Sequence, residues 1–302
     1  MANISKIQWT DATWNVAVGC SKVDKDCLYC YMYRQSLNGT RYKPDQVIQR
    51  KGVFTFPLKY KEKTSTVRDG DPLIFTSSLT DFFHEDVDSF RDEAWDIIRK
   101  CPHLTFQILT KRPDRIKAHL PVDWGDGWDN VWMGTSIGSQ KGQERINELL
   151  LCPSRTRFAS IEPMHGEVDL TRIMEYHCGI SWTTNALSGT IREWDAHGTN
   201  GVYDRGDDLG NKLDWVIVGG ESGNDNGKYK YRPCEISWIE NIVSQCKKAN
   251  VPVFVKQLGT HLSKEYNLKD RHAGNMDEWP DSLTHVKVRE FPVLKSSESL
   301  TI

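Results

Sequence analysis

Short apolar runs that recur along the chain constrain its fold more than any other feature of the sequence. Each run is four or five residues long, is rich in Val, Ile, Phe or Trp, and lacks clean polar alternation. Such runs are typical of strands buried on both faces of a parallel sheet. The predicted strands are residues 14–18, 73–76, 105–109, 131–135, 157–161, 215–218 and 251–255.

Amphipathic segments separate several of these runs, and three of them have the apolar spacing of a helix: residues 89–100, 142–151 and 236–248. Alternating strands and helices predict right-handed βαβ units, and about seven strands suit either a partial barrel or an open doubly wound sheet. Polar or charged residues follow almost every run, and in a barrel they would converge on one mouth. We therefore predict an α/β fold with a partial (β/α) barrel of six to seven parallel strands.

The predicted barrel spans residues 1–259 and contains one segment that breaks the pattern. Residues 174–213 are rich in Gly, Thr, Asn and Asp, and this stretch is too long for a connecting loop in a compact domain. We interpret it as an insertion over the barrel mouth, either a lid or a substrate-contacting subdomain. Residues 260–302 are predicted to form a C-terminal extension packed on the barrel.

Composition excludes several classes of protein. The 302 residues include 39 basic and 41 acidic side chains, and this balance argues against a general polyanion binder. No apolar run approaches the roughly 20 residues of a membrane span, and the N-terminus lacks the pattern of a signal peptide. We expect a cytoplasmic protein without membrane contact.

A local basic segment departs from this overall balance. Residues 41–68 contain eight Lys or Arg against Asp45 and Glu62, with Tyr42, Phe54, Phe56 and Tyr60 interleaved, and residues 228–232 repeat the pattern. Basic residues that alternate with aromatics suit a phosphate backbone with stacked bases. A solvated face with ordinary core aromatics is the alternative interpretation.

Three of the eight cysteines, Cys20, Cys27 and Cys30, lie within eleven residues, in the spacing C-x6-C-x2-C directly after the first predicted strand. Three neighbouring thiolates need a cation, because like charges cannot be desolvated side by side without one. An iron–sulfur cluster with three cysteine ligands would leave one iron open for a ligand. A zinc ion that keeps a bound water and a redox or merely structural triplet are the alternatives. The other five cysteines are scattered: Cys101, Cys152, Cys178, Cys234 and Cys246.

The cysteine segment GCSKVDKDCLYCY resembles the cluster-binding loop of the radical S-adenosylmethionine superfamily. Six further motifs extend the resemblance, in particular to a phage and prophage family related to spore photoproduct lyase-like proteins: SSLTDFFHEDV, ILTKRP, WMGTS, SIEPMHG, WVIVGGESG and FVKQLG. The resemblance implies that Cys20, Cys27 and Cys30 hold a [4Fe–4S] cluster whose fourth iron binds S-adenosylmethionine. It also implies reductive cleavage to a 5′-deoxyadenosyl radical, with electrons from an external donor such as flavodoxin or ferredoxin. The six-residue first gap departs from the commoner three-residue gap.

Site residues can be carried over where the motifs match. Tyr29 fills the aromatic position before the last cysteine, and a cationic side chain is the natural partner of the methionyl carboxylate. The Gly-Gly-Glu sequence resembles the superfamily's signature but follows a late strand, so we divide the amino-group contact between Ser78 and Glu221. The residues assigned to the cofactor are Tyr29, Ser78, Lys111, Arg112, Thr135, Ser136, Glu162, Gly219, Gly220 and Glu221.

Asp81, His84 and Lys256 are the candidate catalytic residues. Asp81 and His84 suit acid–base roles, since His titrates near neutrality, and Lys256 lies where a barrel enzyme would keep substrate groups. The alternative for Asp81 and Ser136 is a helix N-cap, for His84 a surface or capping group, and for Lys111 and Arg112 the start of a solvated helix.

Two functions of different classes remain open. The first is a radical enzyme that modifies or repairs a nucleic acid or a nucleotide-like substrate, which the likeness to repair enzymes favours. The second is a zinc-stabilised, non-catalytic nucleic-acid-binding protein.

Overall fold

In the computed structural model, seven parallel strands form one curled sheet. The model describes residues 5–33, 43–177, 180–195, 202–203 and 211–293. The strands are β1 (Ala12–Trp14), β2 (Ala17–Val18), β3 (Ile48–Gln49), β4 (Leu73–Thr76), β5 (Thr105–Thr110), β6 (Val131–Ile137), β7 (Thr156–Met164), β8 (Ile173–His177), β9 (Ile180–Asn185), β10 (Thr190–Asp195), β11 (Val202–Tyr203), β12 (Trp215–Gly220) and β13 (Val253–Gln257). The α-helices are α1 (Asp88–Arg99), α2 (Glu144–Leu150), α3 (Ile236–Lys248) and α4 (Gly259–Glu265).

The order of the curled sheet is β1-β4-β5-β6-β7-β12-β13, and every neighbouring pair is parallel. It forms a half-barrel, which confirms the predicted α/β partial barrel. The carboxyl ends of all seven strands therefore lie along one edge, where barrel enzymes keep their active sites.

The first predicted strand, residues 14–18, is wrong in one respect, because the chain leaves the sheet after Trp14. The Asn15 side chain accepts a hydrogen bond from the backbone N–H of Leu79 (2.7 Å) and donates to the Ser78 hydroxyl (3.1 Å). These bonds anchor the turn, and β2 then pairs antiparallel with β3 instead of continuing β1.

The predicted insertion contains an antiparallel sheet of order β11-β10-β9-β8. This sheet packs against α2 and α3. The N–H of Leu170, shortly before β8, donates to Gln245 in α3 (2.8 Å), and β8 contacts α2. Ala186 and Leu187 are buried in the same core as these helices. A lid or substrate-contacting role for residues 174–213 stays a prediction. Cys178 and residues 196–201 and 204–210 lie outside the described residues.

The inner face of the half-barrel is filled at its amino end by an aromatic cluster, which we call the aromatic floor: Trp9, Leu73, Phe75, Trp132, Phe158, Trp215, Ile217 and Phe254. Gly134 makes part of this packing possible, because a Cβ atom there would lie 2.4 Å from the Phe158 ring. Side chains alternate between faces along a strand. The positions two and four residues beyond floor residues are therefore expected on the same face nearer the carboxyl edge, among them Ser136, Glu162 and Lys256.

The segment after β13 packs along the free edge of the sheet. The N–H of Val255 donates to the carbonyl of Val288 (2.8 Å), and the N–H of Glu290 donates to the carbonyl of Val253 (3.0 Å). Phe291 stacks on Trp215 with ring centroids 5.4 Å apart. The described part of residues 260–302 therefore covers an edge strand that would otherwise present unpaired backbone groups.

None of the helices in the described part of the chain combines the length and the apolar composition that a membrane span needs.

Candidate active site

Residues 19–31, which we call the cysteine loop, follow β2 at the carboxyl edge of the half-barrel. The loop begins at Gly19, whose φ of +96° lies in the region that favours glycine. A Cβ atom at this position would lie 2.0 Å from the carbonyl oxygen of Gln46. The N–H of Gly19 donates to the carbonyl of Leu79 (3.1 Å), which joins the loop to the turn after β4.

The three cysteines of the loop are half-buried, and Cys27 lies within electrostatic reach of Cys20 and of Cys30. Burial raises the pKa of Cys20 to about 12, and negative charge on Asp81 and Cys27 adds to the effect. Burial also raises the pKa of Cys30, and Cys27 again adds to it. Burial thus favours the protonated form of Cys20 and Cys30, and a bound metal centre would deprotonate its cysteine ligands.

A single metal ion and an iron–sulfur cluster require different spacings of their cysteine ligands. Within the described ranges, no three His, Cys, Asp or Glu side chains are grouped so that they could hold one metal ion. A single zinc ion needs its sulfurs about 4 Å apart, since each Zn–S bond is about 2.3 Å long. A four-iron cluster is larger and separates its thiolate ligands further. Three cysteine thiols on one loop are the ligand type that such a cluster takes, and this assignment stays a prediction.

The Cys20 side of the loop is held by residues that follow β4 and β5. The Arg112 guanidinium donates to the Ser21 carbonyl (3.1 Å), to the Ser21 hydroxyl (2.7 Å) and to Asp81 (3.2 Å), and lies 3.9 Å from Cys20 Sγ. Asp81 also accepts from the Thr110 hydroxyl (2.6 Å). Nε2 of the buried His84 lies 2.8 Å from the Ser21 hydroxyl.

These contacts bring three predicted site residues together, and they also bear out the capping alternative. Asp81 accepts from the N–H of Phe83 (2.9 Å), and Nδ1 of His84 accepts from the N–H of Asp86 (3.1 Å) at the start of a 3-10 turn. Burial lowers the pKa of His84, and the positive charge of Arg112 lowers it further. Acid–base roles for Asp81 and His84 stay predictions, while their observed contacts hold the loop.

The Cys27 side of the loop is held by residues that the sequence did not single out. The buried Asp26 carboxylate accepts from Nε2 of His165 (2.6 Å), from the N–H of Gly138 (3.0 Å) and from Arg145. Burial alone would raise the pKa of Asp26, but the His165 hydrogen bond and the Arg145 charge bring it down to about 2. Arg145 also donates to Asp24 (2.7 Å). The only sequence signals were the position of Asp26 beside Cys27 and of His165 within SIEPMHG.

Glu221 holds the middle of the loop through an arginine. Its two carboxylate oxygens accept from Nε and Nη2 of Arg232 (2.8 Å each), and Nη1 of Arg232 donates to the Lys25 carbonyl (2.8 Å). The same guanidinium lies 5.9 Å from the centroid of the Tyr29 ring. The Gly-Gly-Glu sequence after β12 therefore contributes the Glu221 carboxylate, which holds the cysteine loop through Arg232. Gly220 serves close packing, because a Cβ atom there would lie 2.1 Å from the carbonyl oxygen of Leu258.

Polar side chains from four strand ends meet above the aromatic floor. The Lys111 ammonium donates to the Ser136 hydroxyl (2.7 Å), which donates to the carbonyl of Glu162 (3.0 Å). The Lys256 ammonium donates to the Glu162 carboxylate (2.5 Å). Gly219 borders this space, since a Cβ atom at that position would lie 3.3 Å from the Glu162 carboxylate.

Two other predicted cofactor residues are engaged elsewhere. Thr135 is fully buried, and its hydroxyl donates to the carbonyl of Thr110 (3.0 Å) between two strands. Adjacent residues point to opposite faces of a strand, so the side chain of Thr135 faces away from that of Ser136. The predicted ribose contact of Thr135 stays a prediction. The Ser78 hydroxyl is hydrogen-bonded to Asn15 (3.1 and 3.2 Å).

The fold and the site define an α/β half-barrel protein with a three-cysteine loop clamped at the carboxyl edge of its parallel sheet. The chain belongs to the family described as protein of unknown function (DUF5131), whose model matches residues 4–287. No curated protein and no solved structure matches the chain.

Proposed function

We propose that this protein is a radical S-adenosylmethionine enzyme that modifies or repairs a nucleic acid or a nucleotide-like substrate. The supporting observation is the location of the cysteine loop: it lies at the carboxyl edge of a parallel half-barrel, and loops that follow β4, β5, β6, β7 and β12 all contact it. Barrel enzymes place their active sites at this edge, whereas a purely structural metal site has no reason to lie there.

Cys20, Cys27 and Cys30 would hold three irons of a [4Fe–4S] cluster, and the fourth iron would bind the amino and carboxylate groups of S-adenosylmethionine. When bound and reduced by an external flavodoxin or ferredoxin, the cluster would supply the electron that cleaves the cofactor to a 5′-deoxyadenosyl radical. The protein supplies placement and the exclusion of water.

Lys111 is the best-placed cation for the cofactor carboxylate. The Arg112 guanidinium already donates to Asp81 and to Ser21, whereas the Lys111 ammonium donates, among the described residues, to one neutral hydroxyl, that of Ser136. A carboxylate would bring it a charge-assisted hydrogen bond that a hydroxyl cannot match.

Glu162 and Lys256 form an ion pair above the aromatic floor and suit the polar groups of a substrate. The buried floor closes the amino end of the half-barrel, and this arrangement would keep water from a reactive intermediate.

The nucleic-acid part of the proposal rests on exposed lysines. Lys51, Lys59, Lys61 and Lys63 are exposed, and their charge would favour a phosphate backbone. Phe54, Phe56 and Tyr60 pack on the core instead, so base stacking on these rings is not part of the proposal. Tyr42 lies outside the described residues.

Anaerobic reconstitution tests the proposal. We expect iron and sulfide in the stoichiometry of one [4Fe–4S] cluster, broad visible absorption, and 5′-deoxyadenosine and methionine after addition of dithionite and S-adenosylmethionine. Cys27→Ala should lose the iron and the cleavage. Cys101→Ala is the matched control, since Cys101 is buried in the core and should leave both unchanged.

Colourless protein with one zinc per chain and no cleavage would reject the proposal and support the zinc-stabilised, non-catalytic nucleic-acid-binding protein. Unchanged cleavage in Cys27→Ala would reject the ligand assignment.

A further inference from the structure

Arg112 places a buried positive charge beside one thiol of the cysteine loop. The residue is 9% exposed, and Nη1 of its guanidinium donates a long hydrogen bond to Cys20 Sγ (3.9 Å). Burial raises the pKa of Cys20, whereas the charge of Arg112 and its hydrogen bond lower this pKa. The guanidinium therefore favours negative charge on the Cys20 sulfur.

The guanidinium is held in this orientation by its other partners. Nη2 donates to the carbonyl (3.1 Å) and to the hydroxyl (2.7 Å) of Ser21, and Nη1 also donates to Asp81 (3.2 Å). Asp81 is fixed in turn by the Thr110 hydroxyl (2.6 Å) and by the N–H of Lys111 (2.9 Å). Because these bonds already hold the guanidinium, its N–H group needs no rearrangement to meet a thiolate.

The other two arginines that hold the loop differ in this respect. Among the described residues, Arg145 donates to carboxylates, and Arg232 donates to a carboxylate and to a backbone carbonyl. Neither of them donates to a sulfur in that part of the chain. Asp81 has the opposite influence to Arg112 on the same thiol, since its negative charge raises the pKa of Cys20. The Cys20 sulfur therefore lies beside both members of one buried ion pair.

We propose that Arg112 raises the reduction potential of the cluster on the cysteine loop, because its guanidinium stabilises the negative charge that reduction adds at the Cys20 thiolate. This inference rests on the proposed function. Reduction adds one electron, which the external flavodoxin or ferredoxin gives up, and it moves no proton. Net charge and hydrogen bonds to the sulfurs set the potential of an iron–sulfur cluster. Arg112 acts through Cys20, so it is a positioning residue.

Redox titration of the reconstituted full-length protein without S-adenosylmethionine, followed by electron paramagnetic resonance, tests the inference. Arg112→Gln removes the positive charge and keeps a hydrogen-bonding side chain. We expect the equilibrium constant for reduction to fall about tenfold, in the range of one charge-assisted hydrogen bond. For a one-electron couple this change lowers the potential by about 59 mV. Arg112→Lys keeps the charge and should lower the potential less.

Asp81→Asn supplies a test with the opposite sign. It removes the negative charge beside the same thiol, so the potential should rise. Loss of structure around Cys20 would shift the potential of both variants in the same direction, because the two side chains hold the same part of the loop. Opposite shifts therefore identify an electrostatic effect.

Arg157→Gln is the matched control. Arg157 is 6% exposed and lies near the amino end of β7, where its guanidinium donates to the carbonyl of Cys152 (2.7 and 3.2 Å). This substitution removes the same charge from a buried arginine away from the carboxyl edge. The reduction potential should stay at the wild-type value.

A wild-type potential in Arg112→Gln, with normal iron content, would overturn the inference and leave the proposed function standing. Shifts of the same sign in Arg112→Gln and Asp81→Asn would overturn it too. If Arg112→Gln binds no iron, Asp81→Asn decides, and an unchanged or lower potential in that variant would overturn the inference. Absence of iron from the wild-type protein would overturn the proposed function itself.

Discussion

At the scale of single residues, the cysteine loop is held by three carboxylate–arginine pairs. Asp81 pairs with Arg112, Asp26 with Arg145, and Glu221 with Arg232. Two of the arginines also donate to backbone carbonyls of the loop, those of Ser21 and Lys25, and the third bonds the loop's own carboxylates. The planar guanidinium suits this task, because its rigid fork can bond a carboxylate and a second acceptor together.

The first residue-scale prediction concerns Asp26→Asn. The amide keeps the shape of the carboxylate but leaves Arg145 without its buried counter-charge, and removing one partner of a buried pair costs about 3–5 kcal/mol. We expect a loss of this size in the free energy of unfolding of the metal-free protein, measured by urea titration. Iron content after reconstitution should fall as well, because Asp26 precedes Cys27.

Asp24→Asn is the control for this prediction. Asp24 bonds the same arginine, but its side chain is 38% exposed, so solvent screens the pair. Its loss should cost no more than about 1 kcal/mol. Equal costs for the two variants would show that the Asp26 network is not the main anchor of the loop.

At the scale of secondary structure, packing inside the half-barrel requires a residue without a side chain at position 134. A Cβ atom on Gly134 in β6 would lie 2.4 Å from the ring of Phe158 in β7. We predict that Gly134→Ala lowers the free energy of unfolding by about 1–3 kcal/mol, the usual cost of overpacking, and thermal or urea unfolding can measure it.

Gly52→Ala is the comparison, since a Cβ atom there would meet nothing within 4 Å and the φ of Gly52 is not positive. This substitution should be neutral or stabilise the protein by up to about 1 kcal/mol, through the reduced entropy of the unfolded chain. If Gly134→Ala were equally harmless, the Phe158 ring would not fill the half-barrel as described.

The elements that the sequence predicted well are those whose signal is local. The runs at 73–76 and 105–109 became β4 and β5 because strands buried on both faces need continuous apolar residues. The helix predicted at 89–100 became α1, within one residue at each end. The antiparallel strands β8–β10 were not predicted, because a segment rich in Gly, Thr, Asn and Asp was interpreted only as an insertion, either a lid or a substrate-contacting subdomain.

The site divides in the same way. The cysteine spacing is a local signal, so the loop was predicted, and so was its position at the carboxyl edge. The contact between Asp26 and His165 joins residues that are 139 positions apart, and no short pattern in one sequence reveals such a pair. The hydrogen bonds from Arg112 to Asp81 and from Thr135 to Thr110 are likewise tertiary contacts that only the folded chain shows.

At the scale of the whole molecule, a net charge of -2 conceals an uneven distribution of charge. Lys59, Lys61 and Lys63 are exposed within five residues, with Glu62 as the one acidic side chain among them. Electrostatic binding to a phosphate backbone depends on such local charge, and it weakens as salt rises because counterions are released.

The last prediction tests whether this segment contacts a nucleic acid. The triple variant Lys59→Ala, Lys61→Ala, Lys63→Ala should weaken binding to single-stranded DNA in fluorescence anisotropy. The slope of log affinity against log salt should become shallower by about 2, since each lost phosphate contact accounts for about 0.7 on a single strand. Lys117→Ala, Lys141→Ala, Lys248→Ala removes the same charge from exposed lysines elsewhere and should leave the slope unchanged. Equal slopes for both triple variants would show that the basic segment does not bind a nucleic acid. The iron content should be unchanged in both variants, so this result would not bear on the chemistry at the cysteine loop.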